Sequence, residues 1–293
     1  MNIPTKPEIQ IVDPEMKRLI HQNESIFRIG GSFQFVEGPV WLKEDECLLF
    51  SDIRASIIYK WSFDQGLSEW RKPSHNANGN TVDKEGRLTT CELGSRRVTR
   101  TEKDGKITVL AKTYQGKRLN SPNDVVVKRD GTIWFTDPPY GLSPEMKEQS
   151  ANYVFRLDPG KKEPVPVAGD FSRPNGLCFS PDEKFLYIAD SDTEIHHVRV
   201  LEVTKDNTLE EGKIFAVIYP GIPDGMRMDS EGHLFCTAED GVQVFNTNGH
   251  LIGKILTPRV ASNCAFGGST FNELFITATD SVWRIPLRVT SII

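Results

Sequence analysis

Long apolar runs are what this 293-residue chain most plainly lacks, and nothing in it approaches the roughly 18 apolar residues of a membrane span. The first twenty residues, MNIPTKPEIQIVDPEMKRLI, contain no uninterrupted apolar stretch of the kind that directs secretion. Cysteine is scarce as well. Cys47, Cys91, Cys178, Cys236 and Cys264 are odd in number, show no CxxC or Cys/His spacing, and each lies in or beside an apolar run. That setting predicts buried free thiols rather than bridges or a zinc site. A net charge of -5 and a pI near 5.8 exclude a general nucleic-acid surface, and the one basic cluster, Arg96-Arg97-Val98-Thr99-Arg100, reads as a solvated strand edge. GxSxG, HExxH, GxGxxG and GxxxxGK[ST] are all missing, so serine-hydrolase, zincin and nucleotide-binding chemistry have no local support. These absences lead us to expect a cytoplasmic protein of a reducing compartment, with neither nucleic acid nor membrane as a partner.

What the chain does have is a repeat. Six stretches share one plan, read from their polar heads: EGPVWLKEDECLLFSD from Glu37, NGNTVDKEGRLTTCE from Asn78, NDVVVKRDGTIWFTD from Asn123, NGLCFSPDEKFLYIAD from Asn175, DGMRMDSEGHLFCTAED from Asp224 and NCAFGGSTFNELFITATD from Asn263. Each runs from the head through a short apolar strand and a polar turn to a second strand that usually ends in an acid. Turn residues such as Lys84-Glu85-Gly86, Asp130-Gly131 and Glu231-Gly232 make these pairs antiparallel hairpins. The heads are 41, 45, 52, 49 and 39 residues apart, matching the roughly 40 to 50 residues of a four-stranded propeller blade. Between the hairpins, the runs IIYKWSF, RRVTRTE, YVFRLD, HHVRVLEV, VQVFN and SVWRIPL supply outer strands.

The expected architecture is therefore an all-β, six-bladed β-propeller over residues 31–293 as a single domain, preceded by an N-terminal extension of residues 1–30. In that extension Asp13 and Pro14 mark the start of an extended surface helix with Met16, Leu19 and Ile20 on one face. Closing the ring removes exposed strand edges. FRIGGSFQF, just before Glu37, is expected to close it by pairing with the last blade.

In a propeller the first strand of each blade lines the central channel, so the heads Glu37, Asn78, Asn123, Asn175, Asp224 and Asn263 converge on one axis. Any one of them alone reads as a turn residue hydrated by channel water. Together, two carboxylates and four amides aim oxygen acceptors into a confined space, where unpaired carboxylates are unfavourable. A hard divalent cation answers that arrangement, and calcium accepts such oxygens in an irregular shell of about six to eight ligands. Zinc finds no His or Cys among the heads, and magnesium asks for stricter geometry. Glu92, Asp137 and Asp190, which close second strands, read as partners of nearby backbone instead. The adjacent His196 and His197 project to opposite faces of a strand and do not share a ligand.

The motifs EGPVW around Glu37, KRLNSPNDVVV from Lys117, DPPYG from Asp137, RPNGLCFSPDE from Arg173 and PDGMRMDSEGHL from Pro223 resemble, in that order, those of the SMP-30/gluconolactonase/luciferin-regenerating-enzyme family. The bacterial gluconolactonase branch is the most similar. The resemblance implies a six-bladed propeller holding calcium, or another divalent cation such as zinc, manganese or iron, and hydrolysis of lactones, in particular a sugar aldonolactone such as gluconolactone. By motif, Glu37, Asn175 and Asp224 resemble the metal ligands, Asn123 the residue that binds metal or substrate, and Asp224 also the base. Animal members carry an arginine two positions before the residue matching Asn123, where this chain has Ser121. Such chemistry needs no covalent nucleophile, because a cation can polarise the lactone carbonyl while a carboxylate activates water. Asn78, Asn120, Ser121, Asn123, Asn263 and Tyr140 are the expected partners of sugar hydroxyls. Two alternatives stand beside this one: an organophosphate or ester hydrolase of the same propeller type, with a more apolar pocket, and a non-catalytic binding propeller stabilised by calcium.

Overall fold

The computed structural model describes residues 6–21 and 25–291, in which six antiparallel sheets of four or five strands surround a central channel as a six-bladed β-propeller, with a separate two-stranded hairpin at Thr113–Tyr114 and Lys117–Arg118. Each blade opens with one of the repeated hairpins: Val36–Leu42 with Cys47–Asp52, Ala77–Val82 with Leu88–Glu92, Val125–Val127 with Ile133–Asp137, Pro174–Phe179 with Phe185–Asp190, Met226–Met228 with Leu234–Ala238, and Ala261–Gly267 with Glu273–Ala278. A third and a fourth strand complete each blade outward, and the third strands, such as Ile57–Ser62 and Ser281–Pro286, are the runs expected from the sequence. Three of the hairpin turns place Gly86, Gly131 and Gly232 at φ of 74°, 87° and 91°, where a Cβ would be strained.

The core is divided in the same way as the sheets. Six clusters of buried side chains lie one between each pair of neighbouring blades. The strand Cys47–Asp52 shows how the sequence produces this, because side chains alternate across a sheet. Leu48 and Phe50 pack with Phe275 of the sixth blade, while Cys47 and Leu49 pack with Ala77 and Leu88 of the second. Trp41 stacks on Phe275 with 5.4 Å between ring centroids, joining the first blade to the last. All five cysteines are buried and free, as their apolar settings imply.

Ring closure follows the expectation from the sequence. Phe27–Gly31 pairs antiparallel with Ser281–Pro286 as the outermost strand of the sixth blade, so the division drawn between residues 30 and 31 falls inside a strand. Val36 then donates its N–H to Thr279 O at 2.9 Å. The N-terminal helix is shorter and more deeply placed than its cap signals suggested. Met16–Leu19 is a single turn, and Met16 and Leu19 are inserted fully into the core between the fifth and sixth blades. Asp13 does act at its start, accepting the Glu15 N–H at 2.9 Å. A strand the sequence reading did not foresee, Glu8–Ile11, adds a fifth member to the outer edge of the fifth blade. The basic cluster is not a solvated edge. Arg97–Thr101 is an interior third strand, Arg97 donates to Glu92, and the buried Arg96 donates to Leu119 O and Asn120 O. Among the described residues no helix is long and apolar enough to cross a membrane.

Candidate active site

The six heads are held in a ring by contacts from each blade to the next. Hydroxyls near the ends of second strands donate to the head segment of the following blade: Ser51 Oγ to Asn78 O at 2.9 Å, Thr136 Oγ1 to Asn175 O at 2.8 Å, and Thr237 Oγ1 to Ser262 O at 3.0 Å. Glycine supplies the remaining closeness. Gly38, Gly79, Gly176 and Gly225 each follow a head, and a Cβ there would come within 1.9 Å of Asn78 O, 2.6 Å of Asn123 O, 2.2 Å of Asp224 O and 1.9 Å of the Asn263 side chain, respectively. Each head therefore backs directly onto its neighbour. At the seam the ring closes through a side chain, with Asn263 Nδ2 donating to Glu37 Oε2 at 3.0 Å. The same carboxylate oxygen accepts the Gly38 N–H at 2.7 Å.

Five of the heads are buried, and Asp224 keeps partial exposure. Two carboxylates were expected here, but the structure brings a third, Asp124, which occupies in the third repeat the place that glycine holds in four others. Burial pushes Glu37 up to about 7, the charge of Asp124 adds to this, and hydrogen bonds from Asn263 and Gly38 oppose it. Asp224 is pushed well above the ordinary carboxylate range by burial and by the charges of Glu37 and Asp124, against a hydrogen bond from Asn175. Burial also raises Asp124, and the Arg227 guanidinium moderates the effect from 3.7 Å. Asp124 Oδ2 has no hydrogen-bond partner among the described residues. The carboxylates of Glu37, Asp124 and Asp224 and the amides of four heads offer only oxygen as ligand atoms, and the one nearby cation, Arg227, leaves an excess of negative charge. That set fits a hard divalent cation, which would let the carboxylates ionise together at neutral pH.

Residues 35–280 match the family model for SMP-30/Gluconolactonase/LRE-like regions. The chain belongs to this family. It is 35% identical to a gluconolactonase of Zymomonas mobilis, with 98% of this chain and 88% of that protein aligned. A solved gluconolactonase structure from Xanthomonas campestris superimposes with a TM-score of 0.90 at 35% identity, covering 97% of each chain. A calcium-binding protein, regucalcin, from Agrobacterium tumefaciens shares the fold at a TM-score of 0.76 and 17% identity, over 91% of this chain and 96% of that one.

Against this family background, the remaining residues expected from the sequence divide into two groups. Tyr140 comes from the loop after Ile133–Asp137 and accepts a hydrogen bond from Asn175 Nδ2 at 3.4 Å. Burial pushes its hydroxyl up to about 12, and the charge of Asp224 adds to the shift. Tyr140 thus joins Glu37, Asn78, Asn123, Asn175, Asp224 and Asn263 at the ring. Asn120 and Ser121 sit apart, fully buried. The Asn120 N–H donates to Asp137 Oδ2 at 2.7 Å, and its side-chain amide donates to Asp137 O and Ala151 O, so it anchors both ends of the loop that carries Tyr140. Of the second-strand acids expected to serve the backbone, Asp137 and Asp190 do so, Asp137 accepting the Asn120 N–H and Asp190 those of Ser172 and Arg173, and Asp52 does the same for Gln34 and Phe35. Glu92 does not: its carboxylate accepts from the side chains of Arg97 and Thr99. Asp124 and Arg227 were missed. The signal for Asp124 was present, since it replaces glycine in an otherwise regular head-glycine pair.

Proposed function

We propose that this protein hydrolyses sugar lactones, an aldonolactone such as gluconolactone first among them, with a divalent cation, most suitably calcium, held by Glu37, Asn123, Asn175 and Asp224. The observation that carries this reading is the buried group of carboxylates on the channel axis, which are held close without enough positive charge to balance them. Family membership supports the reaction class, through the gluconolactonases of Zymomonas mobilis and Xanthomonas campestris. The calcium-binding neighbour from Agrobacterium tumefaciens supports the choice of cation.

A cation held by these residues would supply electrostatic polarisation of the lactone carbonyl and acidification of nearby water. Asp224, the head with access to the channel, accepts a proton as water attacks the carbonyl carbon. The ring C–O bond then breaks as Asp224 returns that proton to the departing oxygen, giving the open hydroxy acid and restoring the carboxylate. Glu37, held by Asn263 and the Gly38 N–H, is fixed as a ligand rather than free to exchange protons. Tyr140 orients Asn175, and Asn120 with Ser121 act through the loop beneath it. Asn78, Asn123 and Asn263 present amides to substrate hydroxyls. These polar walls favour sugar lactones over the organophosphate alternative, which calls for a more apolar pocket.

The test is kcat/KM for glucono-δ-lactone against unsubstituted alkyl lactones of equal ring size, with calcium, zinc, manganese and iron each titrated into metal-stripped protein. Hydroxylated lactones should lead, and chelation should abolish turnover. Equal or faster turnover of the alkyl lactones would overturn the substrate assignment, and full activity in chelator would overturn the cation.

A further inference from the structure

One well-formed cavity lies away from the head ring. With a volume of about 530 Å³, it opens at the other end of the channel, bounded by the turns that follow the first strands. Its size falls within the roughly 300–1,000 Å³ of small-molecule sites. Val40, Leu42, Val82, Val126, Met228 and Phe266 give it apolar walls.

Most charged groups around it are either exposed on the turns, as Lys43, Glu44, Asp45, Lys84 and Arg129 are, or held by a close partner. Lys128 meets Asp130 at 2.8 Å, Asp83 meets Arg87 at 2.7 Å, and Asp229 meets His233 at 2.7 Å. Arg227 differs. It lies on the first strand of the fifth blade, lines the cavity, and reaches toward the head ring far enough to stand 3.7 Å from Asp124. Nη1 donates to Met226 O at 2.7 Å, and its other N–H groups have no hydrogen-bond partner among the described residues. A guanidinium at the inner end of an apolar chamber, with donors uncommitted, is a receptor for one planar anion. Because Asp124 already faces this cation, a dianion would meet about twice the repulsion that a monoanion meets, which favours the single charge.

We infer that this cavity is a second binding site, separate from the head ring, for an amphipathic monocarboxylate. The alkyl chain lies along the apolar walls and the carboxylate takes the free N–H groups of Arg227. The inference goes beyond the lactonase reading and does not depend on it.

The experiment uses decanoate, with decanol and acetate as comparison ligands, titrated calorimetrically into the full-length protein in the presence of chelator. Decanoate should bind well above both comparison ligands, since one lacks the charge and the other the chain. Arg227→Gln should weaken decanoate by about 10- to 100-fold, as expected for loss of hydrogen bonds to a charged group. Arg227→Lys should recover part of the affinity, through charge without the fork. Val82→Trp narrows the chamber without touching Arg227 and should abolish binding while the melting temperature stays close to that of the parent. Asp224→Asn, at the opposite end, should leave decanoate affinity unchanged. Equal binding of decanol, or retention of decanoate affinity in both Arg227→Gln and Val82→Trp, would overturn the proposal. Binding that disappears with chelator would also overturn it, placing the anion at the head ring.

Discussion

Two kinds of carboxylate stand a strand apart in this propeller. Asp52 and Asp190, at the ends of second strands, each accept two backbone N–H groups from the segment that leads into their own blade. Glu37 and Asp224, at the starts of first strands, face each other and Asp124 across the channel. The residue types are the same and the sequence surroundings similar. What separates them is the supply of donors. A carboxylate met by backbone N–H groups is already balanced and serves the fold, whereas one met by other carboxylates is left to be balanced by something from outside.

Substitutions should pull the two kinds apart. The largest effect is expected from Asp224→Asn, which keeps size and one ligand oxygen but removes the proton acceptor. At saturating cation kcat should fall by roughly 10²–10⁴, with a smaller change in cation affinity. Near-wild-type kcat under those conditions would assign the base elsewhere. Glu37→Gln should act on the cation first, weakening its affinity by at least about 10-fold, with turnover recovered by excess metal. Calorimetric titration beside a metal-dependence curve checks this, and a kcat deficit that excess metal cannot repair would merge the two roles. Asp190→Ala should do the reverse of both. It orphans the Ser172 and Arg173 N–H groups and should cost about 1–3 kcal/mol of stability, read from the denaturant midpoint, while cation affinity per folded molecule stays unchanged.

The smallest effect concerns acids balanced by a titratable partner. His233 lies between Asp229 Oδ2 at 2.7 Å and Glu15 Oε1 at 3.2 Å, tying the N-terminal segment to the fifth blade. Burial alone would lower its pKa, but the hydrogen bonds and charges of Asp229 and Glu15 carry it above the ordinary 6.5. A raised histidine contributes stability that is fully present below 6.5 and lost as pH climbs through the folded-state value. Protection factors of the Glu8–Ile11 amides, taken relative to intrinsic exchange at each pH, should therefore fall above neutral pH, and His233→Gln should flatten that dependence. Protection that does not change with pH in the parent protein would show that the contact does not hold the strand.

The blades were legible because each is a local hairpin, with its turn chemistry and apolar alternation contained in about fifteen residues of contiguous chain. The ring of heads followed from their equivalent positions. The N-terminal segment was harder. Asp13 and Pro14 are sound helix-start signals, but Met16 and Leu19 bury themselves between two blades whose cores lie more than two hundred residues away in sequence, and the chain turns aside after one turn of helix. Glu8–Ile11 has no partner nearby to announce it, since it pairs with Leu251–Leu256. Arg227 was opaque for the same reason: it looks ordinary within its own repeat, and the 3.7 Å contact that gives it meaning, with Asp124, joins the fifth blade to the third. Asp124 did carry a local signal, standing where four other repeats have glycine.

The seam of the ring also bears on when the molecule becomes competent. Synthesis proceeds from the N-terminus, and the early blades can form while later ones are still being made. Glu37 belongs to the first of these, yet the amide that fixes its carboxylate is on Asn263, and the strand at Phe27–Gly31 has no partner until Ser281–Pro286 emerges. The ring therefore cannot close on any shorter nascent chain. A ribosome-bound intermediate would carry its acidic heads scattered and hydrated, without the crowding that raises their pKa values in the closed ring. Closure would be the step on which the ring of heads waits, so the outermost strand pair of the sixth blade governs when the site is assembled.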